Sequence, residues 1–373
     1  MNILINASNL KVGGGIQVTE SVCSCLDRFP QHRFVVVLSS CFGPLLDSIP
    51  VRPNVRLVRY DIRNSFDTVV FGRDGFLDKL VEREKIDVVL TVFGPSRWEP
   101  RRPHLCGFAR PHLVYPDSPY FKTLKGTEKW KNRLFLAVLK YLFRRSTKHL
   151  YSENARVSER VEQLFPGTQC ATVTNNYHQV FDAPAQWRPA PLPAFEGTTL
   201  LTIGAAYAHK NAQITQDIAR ILKARYPVFR FRFVLTLTEA QFPVPTELAD
   251  CFVLTGPVWI DQCPDLYRQA DIMFQPSLLE CFSATYPEAM RMRVPILAAD
   301  LDFARGLCAD AAVYFPPLDA SAAADAIYEL AKHPEHREAL AAAGERRLKA
   351  FDTYVTRAEK LIGLCEQLGR TNK

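Results

Sequence analysis

Gln275-Pro276-Ser277-Leu278-Leu279-Glu280-Cys281-Phe282-Ser283-Ala284-Thr285-Tyr286-Pro287-Glu288-Ala289-Met290 is the stretch whose reading decides the fold. Asp271-Ile272-Met273-Phe274 before it is a short apolar run that reads as a buried parallel strand. After it, Ala289 to Arg293 is helical in character, and Pro295-Ile296-Leu297-Ala298-Ala299 reads as the next strand. Two carboxylates, Glu280 and Glu288, therefore bracket a strand-to-helix turn at the carboxyl end of a parallel sheet, where open α/β sheets bind ligands. Pro287 is tolerated only in a first helical turn, so the helix is expected to begin between Ser283 and Tyr286 with Ser283 as N-cap. Its free N–H groups would face an anion beside Glu280, and Glu288 would reach a neutral hydroxyl on the same ligand. A phosphate joined to hydroxyls is the chemistry of a nucleotide sugar. The plainer alternative is that Glu280 ends a loop and Glu288 complements the helix dipole.

The flanking residues decide between the two. Pro276-Ser277, Glu280-Cys281-Phe282-Ser283, Pro287-Glu288-Ala289-Met290 and Val294-Pro295-Ile296-Leu297 closely resemble the signature of the family-4 retaining glycosyltransferases, among them bacterial lipopolysaccharide and exopolysaccharide enzymes. The resemblance implies an α/β protein of the GT-B fold, two doubly wound Rossmann-like domains facing a cleft. It also implies that Glu280 contacts the donor sugar and Glu288 the nucleotide ribose, with Cys281, Phe282 and Ser283 lining the donor site. Cys281 and Ser283 stand where relatives usually have Gly. A Cys281 thiol at a helix N-terminus would be reactive if accessible.

Composition agrees with a protein of this size. The 373 residues suffice for two domains, and the apolar content excludes disorder as an overall description. Met1 to Asn6 reads as a strand rather than a secretory leader, and no apolar run approaches a membrane span. Ten scattered Cys without recurring close pairs point to reduced thiols, so a cytoplasmic protein is expected. Charge is uneven: residues 1–185 carry 26 Lys+Arg against 17 Asp+Glu, a net of +9, and the remaining 20 against 22 give −2, which together make the +7 of the chain.

Working outward, alternating strand and helix patterns run through the first half, from Ile3–Ile5 past Phe34–Leu38, Val55–Val58, Asp87–Val92 and His104–Phe108 to His149–Ser152 and Ala171–Val173. Gly13-Gly14-Gly15 follows the first strand, where glycines permit positive φ and close approach to a ligand. A dinucleotide fingerprint would need Gly at Val18, so an NAD site is disfavoured. The family has a Gly-Gly pair here, which makes Gly14 and Gly15 donor-site candidates, a flexible loop being the alternative. His112 is the candidate for the family's histidine near the reacting carbon, with Asp117 behind it; an ordinary loop histidine is the alternative.

Residues 122–148 carry nine Lys or Arg against Glu128 alone, interleaved with Trp130, Phe135, Tyr141, Phe143 and several Leu. From about Trp130 an amphipathic helix is expected, one stripe on the core and the remainder suited to an anionic membrane surface. A plain solvated helix is the alternative; nucleic acid is disfavoured because no recognition motif accompanies the charge.

The proline-rich passage from Ala183 to Pro193 reads as the linker, which sets domains at 1–185 and 186–352; the resemblance implies that a final helical segment at 353–373 crosses back onto the first domain. In the second domain, Gly204-Ala205-Ala206-Tyr207-Ala208-His209-Lys210-Asn211 matches a family loop whose Lys neutralises the donor diphosphate, implying roles for Gly204, Lys210 and Asn211. Many members have Arg where this chain has Ala205. Gly256-Pro257-Val258 resembles the turn that receives the base. Asp300-Leu301-Asp302 superficially suggests an acid pair for a metal-bound diphosphate, but the family setting argues against it, and neither metal nor cofactor is expected. The expected activity is retaining sugar transfer to a glycan acceptor, lipid-linked if the basic helix meets a membrane. A nucleotide-sugar epimerase and a non-catalytic subunit of a polysaccharide-assembly complex are the rivals.

Overall fold

The computed structural model describes residues 1–11, 14–43, 52–63 and 65–371. Val12 and Gly13 of the glycine run lie outside the described residues. Two compact units emerge. The first comprises Met1–Val114, Lys125–Asn175 and Asp352–Lys373, and the second Tyr115–Leu124 and Asn176–Phe351.

In the first unit, β1 (Asn2–Ala7), β2 (Arg33–Leu38), β3 (Val55–Arg59), β4 (Val88–Thr91), β5 (His104–Gly107), β6 (His149–Ser152) and β7 (Gln169–Thr172) form one sheet in the order 3-2-1-4-5-6-7. All its pairings are parallel, with Asn2 opposite Arg33 and Ile3 opposite Val88. Runs such as Ile3-Leu4-Ile5 and Phe34-Val35-Val36-Val37-Leu38 are buried throughout, because helices cover both faces of a parallel sheet. The last helix, Tyr354–Thr371, sends Ala358, Leu361, Ile362 and Cys365 into this core.

The second unit repeats the plan. β8 (Thr198–Thr202), β9 (Phe231–Leu235), β10 (Phe252–Leu254), β11 (Ile272–Gln275), β12 (Ile296–Ala299) and β13 (Ala312–Phe315) are all parallel, in the order 10-9-8-11-12-13. Both sheets therefore reverse their strand order once, between β1 and β4 and between β8 and β11. Such switch points open a crevice at the carboxyl ends of the strands.

The boundary falls at residues 175/176, ahead of the proline-rich passage, because residues 176–185 already pack into the second unit. Phe181 is fully buried with its ring 6.0 Å from that of Tyr267, and Trp187 Nε1 donates to the Val180 carbonyl at 2.7 Å. Tyr115–Leu124 also joins the second unit, where Tyr115 packs on Phe303 at 6.0 Å.

Candidate functional site

The loops leaving β8 and β11 flank the second switch point, and Thr202 Oγ1 ties the strands by donating to the Phe274 carbonyl at 2.7 Å. Past β8, Gly204 is fixed by Thr236 Oγ1, which accepts from its N–H at 2.9 Å. The chain then makes a single helical turn, Ala208–Lys210, closed by Asn211 at φ 55°, a left-handed conformation that Asn tolerates better than most residues. The lysine stem runs back over the strand end, where a Cβ on Gly204 would meet Lys210 Cε at 3.8 Å, an ordinary van der Waals contact. Past β11, the Leu278 N–H donates to the His209 carbonyl at 2.7 Å and locks the two loops together.

The lock brings Lys210 Nζ to 2.5 Å from Glu280 Oε1, in a mostly buried ion pair. The contact is electrostatic rather than an aligned hydrogen bond, since Oε1 is buried and accepts none. Among the described residues, Asn211 Nδ2, Ser277 Oγ and the Tyr286 hydroxyl are also buried without a hydrogen-bond partner, the last close enough to Glu280 to feel its charge. Native interiors contain few such groups, each costly unless something completes it.

Glu288 lies one element further in. It is 5% exposed, and the Tyr267 hydroxyl donates to its Oε2 at 3.1 Å. Burial pushes its carboxyl up to about 7, against the lowering pull of Tyr267 and Lys210. His209 has its basicity lowered, first by burial and also by Lys210, while Glu280 acts the other way. Its ring is stacked 5.5 Å from Tyr207 and meets the edge of Tyr120 at 6.1 Å. Ser118 Oγ donates to the Leu278 carbonyl at 2.6 Å, so the Tyr115–Leu124 insertion buttresses the Glu280 loop.

Several expectations change. The helix after Glu280 is short, Thr285–Arg291, with Ala284 at its N-cap and no side-chain cap. Ser283 cannot cap it, because its Oγ is engaged with Gln275 Nε2 at 3.2 Å and Thr285 Oγ1 at 2.9 Å. Cys281 is buried, which removes the condition on which a reactive thiol depended. Phe282 is half-buried, with its ring 6.1 Å from Phe351. Pro257 is exposed and Val258 half-buried after Gly256, whose φ of 68° makes the turn. Asp300 is engaged by Arg305, at 2.8 Å between Oδ2 and Nη2.

In the first unit, Gly14 and Gly15 are the first residues of the helix Gly14–Cys23, and neither adopts positive φ. Gly15 still serves packing, since a Cβ there would lie 3.3 Å from Leu10 Cδ1. His112 is half-buried on the single turn Pro111–Val114, whereas Asp117 is exposed and belongs to the second unit. The basic helix runs Thr127–Ser146 and buries Leu139, Leu142 and Phe143. Lys122 falls in the second unit, apart from the other cations of the segment.

His209, Ser277, Tyr286, Ser118 and Tyr120 were not among the residues singled out from sequence. His209 and Tyr286 could have been flagged by position, one beside Lys210 and the other between the two glutamates. Ser118 and Tyr120 carry no signal of that kind.

Comparison with known proteins bears on this unit directly. Residues 197–333 match the family model for glycosyl transferases group 1. All of the matched residues lie in the second unit. Solved structures share the whole fold. Sucrose-phosphate synthase from Thermosynechococcus elongatus matches with a TM-score of 0.73 and 15% identity over 99% of both chains. A glycosyltransferase from Rickettsia africae matches at 0.70 and 12% over 98% of both. Anabaena HepE in complex with UDP-glucose matches at 0.67 and 14%, over 98% of this chain and 99% of that one. The architecture is therefore GT-B, with two Rossmann-like domains. No curated protein matches the chain in sequence.

Proposed function

We propose that the protein transfers a sugar from a nucleotide sugar to a hydroxyl of a glycan acceptor, retaining the anomeric configuration. The observation that carries this reading is the Lys210–Glu280 pair at the second switch point, accompanied by buried polar groups that none of the described residues completes. A sugar diphosphate supplies what they lack: phosphoryl oxygens for Lys210 and Asn211 Nδ2, and hydroxyls for Glu280, Ser277 and Tyr286. Glu288 would accept from the ribose. As the bond from anomeric carbon to phosphate breaks, the electron pair passes to the leaving diphosphate, and Lys210 stabilises that charge more in the transition state than before it. The acceptor hydroxyl attacks from the same face and its proton goes to the leaving phosphate. That course needs no metal and no nucleophilic side chain. His112 near the reacting carbon, and Gly14 and Gly15 at the donor, are assigned by the resemblance alone.

The acceptor we favour is lipid-linked, in cell-surface polysaccharide or lipopolysaccharide assembly at the inner face of the cytoplasmic membrane, with the basic helix as the contact to anionic lipid. Among the described residues no helix is long and apolar enough to cross a membrane. A panel of nucleotide sugars in thermal shift should single out one donor, and that donor should yield nucleoside diphosphate when membrane extract is added. Stabilisation without release would favour the non-catalytic subunit, a reading kept open by Ala205, Cys281 and Ser283. Stabilisation by none would sink the donor site itself.

A further inference from the structure

The basic helix Thr127–Ser146 has two apolar stripes, and the core takes only one. Leu139, Leu142 and Phe143 are buried. Trp130, Leu134, Val138 and Tyr141 follow one another at intervals of four, four and three, which sets them along a different side of the helix. Trp130 is 72% exposed, Leu134 70% and Tyr141 52%, and Phe135 beside them is exposed as well. Soluble surfaces seldom leave so contiguous an apolar face uncovered.

A second element extends this face. The π-helical turn Asp67–Phe71 is preceded by Phe66, and the Phe66 and Phe71 rings, 71% and 56% exposed, meet edge to face at 5.7 Å. Arg145 of the basic helix clamps the turn. Its guanidinium donates to the carbonyls of Val69 at 2.7 Å, Val70 at 2.8 Å, Thr68 at 3.2 Å and Arg97 at 2.8 Å, while the Tyr141 hydroxyl donates to the Val70 carbonyl at 3.4 Å. Gly72 ends the turn at φ 68°, and a Cβ there would lie 2.8 Å from Glu99 Cβ. So Arg145 is a clamp on carbonyl oxygens, not one of the free surface cations that the segment's charge implied. Cations still prevail around the face: Lys125, Lys129, Lys131, Arg133 and Arg144 are exposed, against Glu128 on the helix, Asp67 on the turn and Glu99 beside Arg145.

We propose that the Phe66–Phe71 turn and the outward stripe of the basic helix form one surface that seats on a bilayer of anionic phospholipid. The apolar side chains enter the acyl boundary while the surrounding ammonium and guanidinium groups meet the headgroups. This deepens the lipid-linked reading above and adds to it an element outside residues 122–148. Because the two elements are joined through Arg145, they would insert together and fix the orientation of the first unit on the membrane.

The test is co-sedimentation with phosphatidylcholine vesicles with and without phosphatidylglycerol, at low and high salt. Wild type should bind the anionic vesicles alone, more weakly but measurably in high salt. F66S/F71S and L134S/F135S should each lower that binding about tenfold or more, as loss of two apolar side chains from the interface implies. Both pairs are exposed, so melting temperatures should stay at the wild-type value. Wild type that ignores anionic vesicles at low salt overturns the proposal, and F66S/F71S binding as wild type does removes the turn from it. Sedimentation velocity showing that wild type self-associates and both variants do not would reassign the face to a second copy of the chain. Nucleotide-sugar thermal shift on wild type separates the two readings: wild type that ignores vesicles while keeping the shift defeats this inference only, and wild type without the shift defeats the donor site.

Discussion

Each unit buries a cation beside a carboxylate and a glutamate titrating near neutrality, yet the two regions are built to opposite ends. In the first, Arg357 lies 3.9 Å from Glu153 Oε1, bonds the Asn175 side chain and donates to the Val18 carbonyl at 3.2 Å. Nearby, Asp352 Oδ2 accepts from both the N–H and the hydroxyl of Thr174 at 2.9 Å. Arg357 Nε lacks a partner, but the rest of the guanidinium and the side chains named beside it are bonded within the chain. In the second, Lys210 has Glu280, and whole groups around it (a Ser hydroxyl, a Tyr hydroxyl, an amide nitrogen) have no partner. Burial and charge alone do not mark a site. The mark is unmet hydrogen-bonding capacity next to a buried charge.

The strongest way to break this comparison is to show that the first network matters for ligand. Arg357→Met should leave Glu153 buried without its cation and cost about 3–5 kcal/mol of stability in chemical denaturation, with nucleotide affinity of the folded fraction unchanged. Altered affinity would mean that the first network is not merely scaffold. Lys210→Ala should lower turnover at saturating donor by about 10²–10³-fold, the usual cost of removing a preorganised group that stabilises developing charge, with a smaller loss of donor affinity. Full turnover would place the essential cation elsewhere.

Glu288→Gln sharpens the contrast through pH. Burial raises both Glu153 and Glu288 from 4.5 to about 7, so between those values the folded chain holds protons that the unfolded chain has released. Their contribution is then fully present below pH 4.5 and is lost as pH rises through about 7. In Glu288→Gln the share due to Glu288 should vanish, giving a flatter stability profile over that window. Its nucleotide affinity should fall by about 1–3 kcal/mol, and the wild type's rise in affinity on ionisation near pH 7 should be absent. Calorimetry at several pH values checks both. The smallest effect belongs to Tyr286→Phe. Deleting an unpaired buried hydroxyl should leave the empty protein as stable or more so, yet weaken donor binding by about 0.5–1.5 kcal/mol. Loss of stability would mean that the hydroxyl is already satisfied.

Most of the architecture was legible in the sequence for a plain reason. Strands covered on both faces must be apolar throughout, and runs such as Phe34–Leu38 and Ile272–Phe274 announce themselves. Lys210 and Glu280 were legible through the motif resemblance of the loops that follow two such strands. The rest depended on contacts between residues far apart. The break in the proline-rich passage was expected after residue 185, but hydrophobic burial of Phe181 carries the preceding residues into the second unit. The Tyr115–Leu124 insertion has no composition of its own, and only the Ser118–Leu278 bond reveals what it supports. Ser283 looked like a cap because Ser suits that position, and Gln275 and Thr285 outbid the helix for its hydroxyl. Arg145 looked like one cation among nine, and only the carbonyls around it show that it is a clamp.

The last helix bears on how the chain comes off the ribosome. Domains usually fold in the order they are made, but the first core has to be completed by Ala358, Leu361, Ile362 and Cys365. The strands of that core emerge early and then wait, their helix-shaped gap open, while the whole second unit is translated. The N-terminal unit is thus the first to begin folding and the last to finish. A nascent chain of this protein therefore carries an open apolar groove in its first core while residues 176–351, nearly half of its length, are made.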